Sequence, residues 1–383
     1  MKFKKAINLI ILLMLLGFIL SACEKSSNVT ETTTEIQTTV KTKVKGVWLT
    51  CYELKSMLED SSEDAFRAEV EQMLSVCKKQ GINTVFMQVR PFADSVYPSE
   101  IFPLSYYVLS STGRAPDFDV LKVFIHLAGE ADIDVHAWVN PYRISYKTEL
   151  SQLDKDSIAL NGEYEKAVVC TDAGIYLNPC MDESRMLVLE GIREILENYN
   201  VSGIHIDDYF YPLTDESFDK PQYTDYCKQG GKLELSQWRR ENVNSLVSSI
   251  YSLVHSYGDD IVFSISPAGD IEKNFSTYYA DVKLWMREKG YADIIIPQVY
   301  YGFEHEKMPF EKTAGKWLES ERAEGVDMLC GLAAYKQGVA DELAGSGSNE
   351  WINSSDVIER QKKYADNSLY SGYVLFSYNN III

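Results

Sequence analysis

The chain has 383 residues, enough for one large domain or two ordinary ones, and apolar residues make up 45% of it. Acidic residues outnumber basic residues by 56 to 37, which gives a net charge of −19. This balance argues against nucleic-acid binding, because that task requires a basic face. Beyond this exclusion, the acidity indicates only a well-solvated surface.

The amino terminus has the features of an export signal. Met1–Lys5 is positively charged, and Ile7–Leu20 is an almost unbroken apolar run that is short for a membrane span. The run ends in Leu20-Ser21-Ala22-Cys23, which resembles the cleavage box of bacterial lipoproteins. The resemblance implies that residues 1–22 are a lipoprotein signal peptide and that Cys23 carries lipid, whereas an ordinary signal peptide or an uncleaved anchor is the alternative. In each case we expect an exported protein held at the outer face of the cell membrane or envelope.

Residues 23–43 read as a linker. They are rich in Thr and Ser and contain almost no large apolar side chains, so they cannot bury a core. We expect this stretch to be disordered and to hold the following domain off the membrane.

From residue 44 to residue 383 one pattern repeats, in which a short apolar strand is followed by a loop and a helical stretch. Eight strands are predicted, at Lys45–Thr50, Asn83–Arg90, Asp134–Asn140, Gly203–Asp207, Ile261–Ser266, Ala292–Tyr300, Asp327–Ala333 and Gly372–Tyr378. Helices with one apolar face are predicted at Glu63–Gln80, Leu187–Tyr199, Leu235–Tyr257, Tyr278–Lys289, Phe310–Glu324 and Val357–Asn367.

Eight strand-then-helix units predict an α/β fold of the (β/α)8, or TIM-barrel, type over residues 44–383. A doubly wound open sheet is the competing fold, but the first strand–helix junction after Thr50 lacks the GxGxxG sequence of dinucleotide-binding folds. The chain stops at Ile383, directly after the eighth strand. The final helix of the barrel is therefore predicted to be absent or truncated.

The run from Gly203 to Pro212 contains the most informative residues. An apolar strand ends in Asp207 and Asp208, and three aromatic residues follow them. Because an unpaired carboxylate is costly to bury, two of them at a strand end indicate a functional site.

Period-two alternation selects further side chains that point into the barrel mouth. They are polar or aromatic, as a sugar site requires, with donors and acceptors for hydroxyl groups and flat faces for the rings. The residues so chosen are Trp48, Arg90, Trp138, Asn140, His205, Gln298, Tyr300 and Tyr378.

No metal or cofactor site is predicted. The chain has five histidines and no HExxH motif, so His205 is expected to bind substrate or a carboxylate instead of a metal. No GxSxG sequence that would indicate a serine nucleophile is present.

Among the cysteines, Cys170 and Cys180 flank a short loop and are the most plausible disulfide, whereas Cys77 and Cys330 read as buried thiols.

Seven stretches resemble the glycosyl hydrolase-like 10 family of bacterial envelope proteins, and they occur in the same order along the chain as in that family. They are Lys45–Thr50, Asn83–Arg90, His136–Arg143, Gly203–Pro212, Ser264–Pro267, Pro297–Tyr300 and Gly372–Tyr378. The resemblance spans nearly the whole chain after the linker. It implies a TIM barrel, glycosidase activity and, for some members, cleavage of peptidoglycan glycan strands.

These observations together predict a glycosidase that acts on an envelope polysaccharide by carboxylate chemistry. Asp207 is the expected nucleophile or general base, and Asp208 is close enough to raise the pKa of Asp207 or to replace it. Glu304 is the first choice for the general acid, ahead of Asp270 and Asp94.

The remaining residues selected at the strand ends are expected to bind substrate. Trp48, Trp138 and Tyr378 are assigned to stack on sugar rings. The others are assigned to hydroxyl or N-acetyl groups: Arg90, Asn140, His205, Gln298 and Tyr300.

Two other classes of protein stay open. One is a glycan-binding surface lipoprotein without catalysis. The other is a transporter-linked solute-binding lipoprotein, which the even spacing of the eight units disfavours.

Overall fold

The computed structural model describes residues 42–60, 62–208 and 210–381. The predicted signal peptide, the predicted lipidation site Cys23 and all but the last two residues of the predicted linker lie outside these residues. The chain divides into two units between Thr42 and Lys43, and the second unit contains everything described below.

Parallel strands of the second unit form a barrel with the predicted chain order. The strands are Val44–Leu49, Thr84–Arg90, Asp134–Val139, Gly203–Ile206, Val262–Ile265, Ile294–Ile295, Asp327–Met328 with Cys330–Leu332, and Gly372–Leu375. Each pairs in parallel with its neighbour, and the first strand pairs with both the second and the last. We refer to them as strands one to eight, counting the two pieces around Leu329 as strand seven.

Strand seven consists of two short pieces, and each piece pairs with a different neighbouring strand, which closes the barrel. Asp327–Met328 pairs with strand six, whereas Cys330–Leu332 pairs with strand eight. At the break, the Leu329 N–H donates to the Ile295 carbonyl at 3.0 Å. One short strand thereby contacts both of its neighbours, and the (β/α)8 fold class predicted from the sequence is confirmed.

Helices cover the outside of the barrel. In the described residues they are Cys51–Met57, Glu63–Lys79, Val120–Glu130, Asp182–Asn198, Lys220–Lys228, Leu235–His255, Ile271–Ser276, Val282–Arg287, Phe310–Leu318, Glu350–Asn353 and Val357–Asn367. Glu63–Lys79 illustrates why they form. Ser62 caps the Ala65 N–H, and Phe66, Val70 and Leu74 lie buried on one face.

The core has two parts. The larger lies between the strands and the helices, where the outward-facing residues of the strands pack. A smaller cluster fills the inside of the barrel: Trp48, Phe86, Trp138, Ile294, Ile296, Leu329 and Val374. Strand residues are therefore buried on both faces, as expected for a parallel sheet.

Two features of the fold depart from the even spacing expected of the units. A three-stranded antiparallel sheet of Arg143–Ser145, Val168–Thr171 and Gly174–Leu177 is inserted between strands three and four. After strand eight, the described residues contain the short 3-10 turn Tyr378–Asn380.

The predicted disulfide is wrong. Cys170 and Cys180 are both free thiols, and Cys180 instead contacts the Asn178 side chain. Cys77 and Cys330 are buried and free, as predicted. Within the described part of the chain, no helix has both the length and the apolar character needed to cross a membrane.

Candidate active site

A cavity of about 550 Å³ opens at the carboxyl ends of the barrel strands. This is the end at which barrels of this type carry their sites. Seven of the predicted site residues line the cavity: Trp48, Trp138, Asn140, Asp207, Asp208, Gln298 and Tyr300. They come from four separate strand ends, so the fold brings together residues that are far apart in the chain.

Asp207 lies on the cavity wall directly after strand four and is buried. Its Oδ2 atom accepts hydrogen bonds from Asn140 Nδ2 and, at 3.3 Å, from Trp138 Nε1. Hydrogen bonds donated to a carboxylate stabilise its charged form. Asn140 and Trp138 are therefore polar partners of the Asp207 carboxylate.

A directional hydrogen-bond chain orients Asn140 toward Asp207. The Cys51 backbone N–H, which can only donate, bonds to Gln88 Oε1 at 3.0 Å. Gln88 then donates from Nε2 to Asn140 Oδ1 at 2.6 Å, which leaves the Asn140 amide nitrogen for Asp207. The backbone N–H thus determines which end of each amide faces its neighbour.

Asp208 meets different surroundings in the same cavity. Burial raises the pKa of its carboxyl above the ordinary value, whereas the Gln298 amide and the charge of Arg143 act in the opposite direction. Gln298 also donates to the Ser266 carbonyl at 2.9 Å, which holds its amide in place. Since desolvation is the largest effect, the protonated form of Asp208 is favoured more than for a solvated aspartate.

Tyr300 lies beside the two carboxyl groups. Burial, followed by the nearby Asp208, raises the pKa of its phenol well above the ordinary value. The hydroxyl group therefore stays protonated and can donate a hydrogen bond into the cavity.

His205 is completely buried beneath the cavity and does not line it. Its Nε2 atom accepts from Trp48 Nε1 at 3.1 Å, and its Nδ1 atom contacts Ser264 Oγ at 2.8 Å. Burial lowers the pKa of the imidazole well below its usual value, so the ring is neutral. The structure thus corrects the prediction of a substrate contact, because His205 instead holds the Trp48 ring in position.

Arg90 also lies away from the cavity, and a strand irregularity explains the wrong prediction. The register with strand three shifts between Gln88 and Arg90, so the two residues no longer share a face. The Arg90 guanidinium is buried, stacks 4.7 Å from the centre of the Phe102 ring and has a pKa lowered by burial to about 10.

The acids predicted from other loops do not line the cavity. Glu304 is exposed, and the loop that carries it is held by a bond from its backbone N–H to Glu350 at 2.8 Å. Asp270 caps the helix Ile271–Ser276. Asp94 lines a neighbouring cavity, and burial raises its pKa to about 6.

Tyr378 is not at the cavity either. It follows strand eight in a 3-10 turn, and its side chain is buried in the outer core. Phe376 occupies the cavity wall, with its ring 5.9 Å from that of Trp48 and 6.0 Å from that of Tyr300. Strand alternation points to both Phe376 and Tyr378, and of these two Phe376 is the one that lines the cavity.

The sequence analysis missed Glu53, a buried carboxylate on the cavity wall. Its Oε2 atom accepts from the Thr50 N–H and hydroxyl, and its Oε1 atom accepts from Ser377 Oγ and the Asn379 N–H. Thr50 and Glu53 form a capping box, whose T-x-x-E spacing was a readable signal. With both oxygens occupied, Glu53 joins the ends of strands one and eight.

Three aromatic residues at the mouth were also missed: Tyr52, Phe92 and Tyr146. They lie in loops and helix starts, to which strand alternation does not apply. No group of three or more His, Cys, Asp or Glu side chains in the described ranges is arranged to hold a metal ion.

A barrel with a carboxylate pair and aromatic walls at its mouth is the architecture of the glycoside hydrolase-like class. The comparison with family models identifies the group within that class. The chain belongs to the family Glycosyl hydrolase-like 10, whose model matches residues 43–345.

Curated relatives include two proteins described as glycosyl hydrolases. Glycosyl hydrolase YngK of Bacillus subtilis strain 168 is 31% identical over 289 residues, which cover 70% of this chain and 56% of YngK. Glycosyl hydrolase DigH of Escherichia coli K12 is 27% identical over 368 residues, which cover 87% of this chain and 82% of DigH. The chain thus spans little more than half the length of YngK and most of DigH.

Solved structures show the same fold. The glycoside hydrolase domain of PgaB (BpsB) from Bordetella bronchiseptica superposes with a TM-score of 0.56 at 12% identity, covering 89% of this chain and 95% of that one. At this identity the likeness concerns the fold alone.

Proposed function

We propose that this protein hydrolyses glycosidic bonds in an envelope polysaccharide, with peptidoglycan glycan strands as the substrate. One observation carries the proposal: two carboxyl groups share the cavity and have different surroundings, since Asp207 accepts hydrogen bonds from Asn140 and Trp138 and burial raises the pKa of Asp208. Glycosidases need such a pair, one group ionised and one protonated. The choice of peptidoglycan follows from the resemblance to the family and from the expected anchoring at the envelope.

In the proposed mechanism, Asp208 is the general acid. Its raised pKa allows it to protonate the leaving oxygen. Asp207, which accepts hydrogen bonds from Asn140 and Trp138, acts in its ionised form and attacks the sugar or activates water. This assignment replaces Glu304, which is exposed and does not line the cavity.

The direct test uses the purified protein with glycan strands free of peptide, chitin oligomers and α-glucans, with products identified by mass. Asp207→Asn and Asp208→Asn should each lower the rate by on the order of 100-fold or more, because each removes a proton-transfer or nucleophilic group. Glu304→Gln should retain the wild-type rate. Loss of activity in Glu304→Gln together with full activity in Asp208→Asn would assign the role of general acid to Glu304.

A glycan-binding protein without catalysis is the second candidate. One observation favours it: apart from the adjacent Asp207 and Asp208, the only carboxylate among the described lining residues is Glu53, whose oxygens are both occupied. Binding of glycan strands with no product at any protein concentration would support this function over hydrolysis.

We also propose that Cys23 carries lipid and anchors the protein at the outer face of the membrane. Support comes from the sequence Leu20-Ser21-Ala22-Cys23 after an apolar run. Cells fed an alkyne-labelled fatty acid should incorporate label into the wild-type protein and not into Cys23→Ala. Equal labelling of the two proteins would contradict the anchor.

A further inference from the structure

A second cavity of about 490 Å³ lies beside the first. Phe92 and Tyr146 line both cavities, so these two rings form the boundary at which the cavities meet. Each volume falls in the range of small-molecule sites, about 300–1,000 Å³. A ligand at the barrel mouth can therefore occupy two adjoining cavities, and the proposed reaction uses only the cavity next to Asp207.

Five of the rings that line this double cavity form one group, which we call the aromatic wall: Tyr52, Phe92, Tyr106, Tyr107 and Tyr146. They contact one another in a continuous series, with ring centres 5.2 Å apart for Tyr52 and Tyr107 and 5.2 Å apart for Phe92 and Tyr146. Phe92 and Tyr107 stack at 6.0 Å, and Tyr106 meets Tyr107 edge-on at 5.8 Å. The wall thus runs from the first cavity into the second.

The wall exposes much of its aromatic surface. Tyr52, Tyr106 and Tyr146 are 59%, 63% and 56% exposed. Exposed aromatic side chains grouped in one place mark binding surfaces. Because neighbouring rings already restrict these side chains, a ligand would lose little side-chain entropy on docking against them.

The polar residues around the second cavity define the chemistry of the ligand. Lys147 and Ser157 supply donors, and Asp94, Asp154 and Asp156 supply carboxylates. Aromatic faces together with hydrogen-bonding groups suit sugar rings and their hydroxyl groups.

We infer that the second cavity binds further sugar residues of the same polysaccharide chain. The inference rests on the proposed function, because the chain must pass from the cavity at Asp207 across Phe92 and Tyr146. The aromatic wall is then an extended set of sugar-binding positions, and the protein prefers chains longer than the first cavity can hold.

The test follows chain length with neutral chitin oligomers from the disaccharide to the octasaccharide. Hydrolysis is measured as kcat/KM, and binding is measured by calorimetry in an Asp207→Asn background. In the protein with the unaltered aromatic wall, the affinity for chitin oligomers should rise with oligomer length. Tyr106→Ala should lower the affinity and kcat/KM of long oligomers by roughly tenfold and leave short oligomers unchanged, since one aromatic contact is lost.

Two further variants serve as controls. Tyr106→Phe keeps the ring and should restore the preference for long oligomers. Phe275→Ala removes an exposed aromatic that lines neither cavity, and it should behave as wild type.

The outcomes separate this inference from the proposed function. Length-dependent binding that is lost in Tyr106→Ala, without hydrolysis of the oligomers or of peptide-free glycan strands, would support the second cavity and overturn catalysis. Hydrolysis with no dependence on length or on Tyr106 would support catalysis and overturn the inference, leaving the wall for a partner protein. Absence of both binding and hydrolysis for every oligomer and for peptide-free glycan strands would overturn both.

Discussion

Asp207 and Asp208 are adjacent in the chain, yet their carboxyl groups have different partners. Asp207 accepts hydrogen bonds from two side-chain donors, Asn140 and Trp138, whereas burial is the dominant influence on Asp208. Two titratable groups whose surroundings separate their pKa values are the arrangement that acid–base catalysis uses. At the residue scale, the proposed function therefore depends on the different surroundings of these two neighbouring residues.

The pH dependence of activity should identify Asp208 as the acid. A general acid acts only while protonated, so the rate should fall as the pH rises through the raised pKa of Asp208. We expect an alkaline limb displaced above the ordinary aspartate value of about 3.9. The measurement is a profile of kcat against pH, and the residual activity of Asp208→Asn should lack this limb. If the alkaline limb of the kcat profile were unchanged in Asp208→Asn, the limb would report the titration of another group.

The same shift makes a prediction for stability. Because the pKa of Asp208 is higher in the folded state than in the unfolded state, the folded state binds the proton more tightly. Stability associated with this residue is therefore present at low pH and lost as the pH rises from the unfolded value to the folded one. Asp208→Asn should unfold at a higher denaturant concentration than wild type at pH 7, and the exposed Asp260→Asn should not differ from wild type. A less stable Asp208→Asn would contradict the raised pKa.

At the scale of elements, regular periodicity was predictable and its interruptions were not. The helix Val357–Asn367 was predicted with the bounds it has, because its apolar spacing is helical throughout. Arg90 was misplaced because alternation holds only while a strand stays in register, and the shift after Gln88 has no marker such as glycine or proline in the strand itself. The inserted sheet was missed because its strands have only three or four residues each.

The residues of the candidate site were likewise predictable where the strands are regular and unpredictable elsewhere. Asp207, Trp138 and Gln298 were found from their place at regular strand ends. Tyr52 and Phe92 belong to a helix start and a loop, whose positions depend on tertiary packing and have no period in the sequence. Glu304 was chosen for its distance along the chain from strand six, and chain distance alone does not determine which way a loop turns.

The loop after strand four depends on a buried ion pair. Arg239, on the helix Leu235–His255, donates to Asp219 from Nε at 2.8 Å and from Nη2 at 2.6 Å, and both side chains are fully buried. Arg239 also donates to the Thr214 and Asp215 carbonyls. The pair therefore attaches the chain that follows the two catalytic candidates to the outer helix.

Replacing Arg239 by methionine should destabilise the protein by about 3–5 kcal/mol, because Asp219 would remain buried without its partner. The matched control is Arg240→Met at the next, partly exposed position of the same helix, which should cost less than about 1 kcal/mol. Denaturant unfolding monitored by circular dichroism measures both. Similar losses in the two variants would show that the buried pair contributes no more than a surface arginine.

At the scale of the whole molecule, the site depends on closure of the barrel between its first and last strands. Strand eight pairs with strand one, and Glu53 adds side-chain bonds across the same junction to Ser377 and to the Asn379 N–H, each at 2.7 Å. Because no α-helix follows strand eight in the described residues, these bonds hold the carboxyl-terminal turn Tyr378–Asn380. Phe376, on the cavity wall, lies one residue before this attachment.

Glu53→Gln should therefore loosen the junction while the rest of the barrel stays folded. The glutamine amide nitrogen cannot accept a hydrogen bond, so two of the four donors around residue 53 would lose their acceptor, at a cost of about 1–3 kcal/mol each. Hydrogen exchange with mass detection should show faster exchange in peptides that contain residues 376–381, and unchanged exchange in strands three and four. The exposed Glu59→Gln on the same side of the barrel is the control, and it should leave exchange unaltered. Faster exchange throughout the barrel would mean that Glu53 supports global stability, and wild-type exchange at residues 376–381 would mean that strand pairing alone closes the barrel.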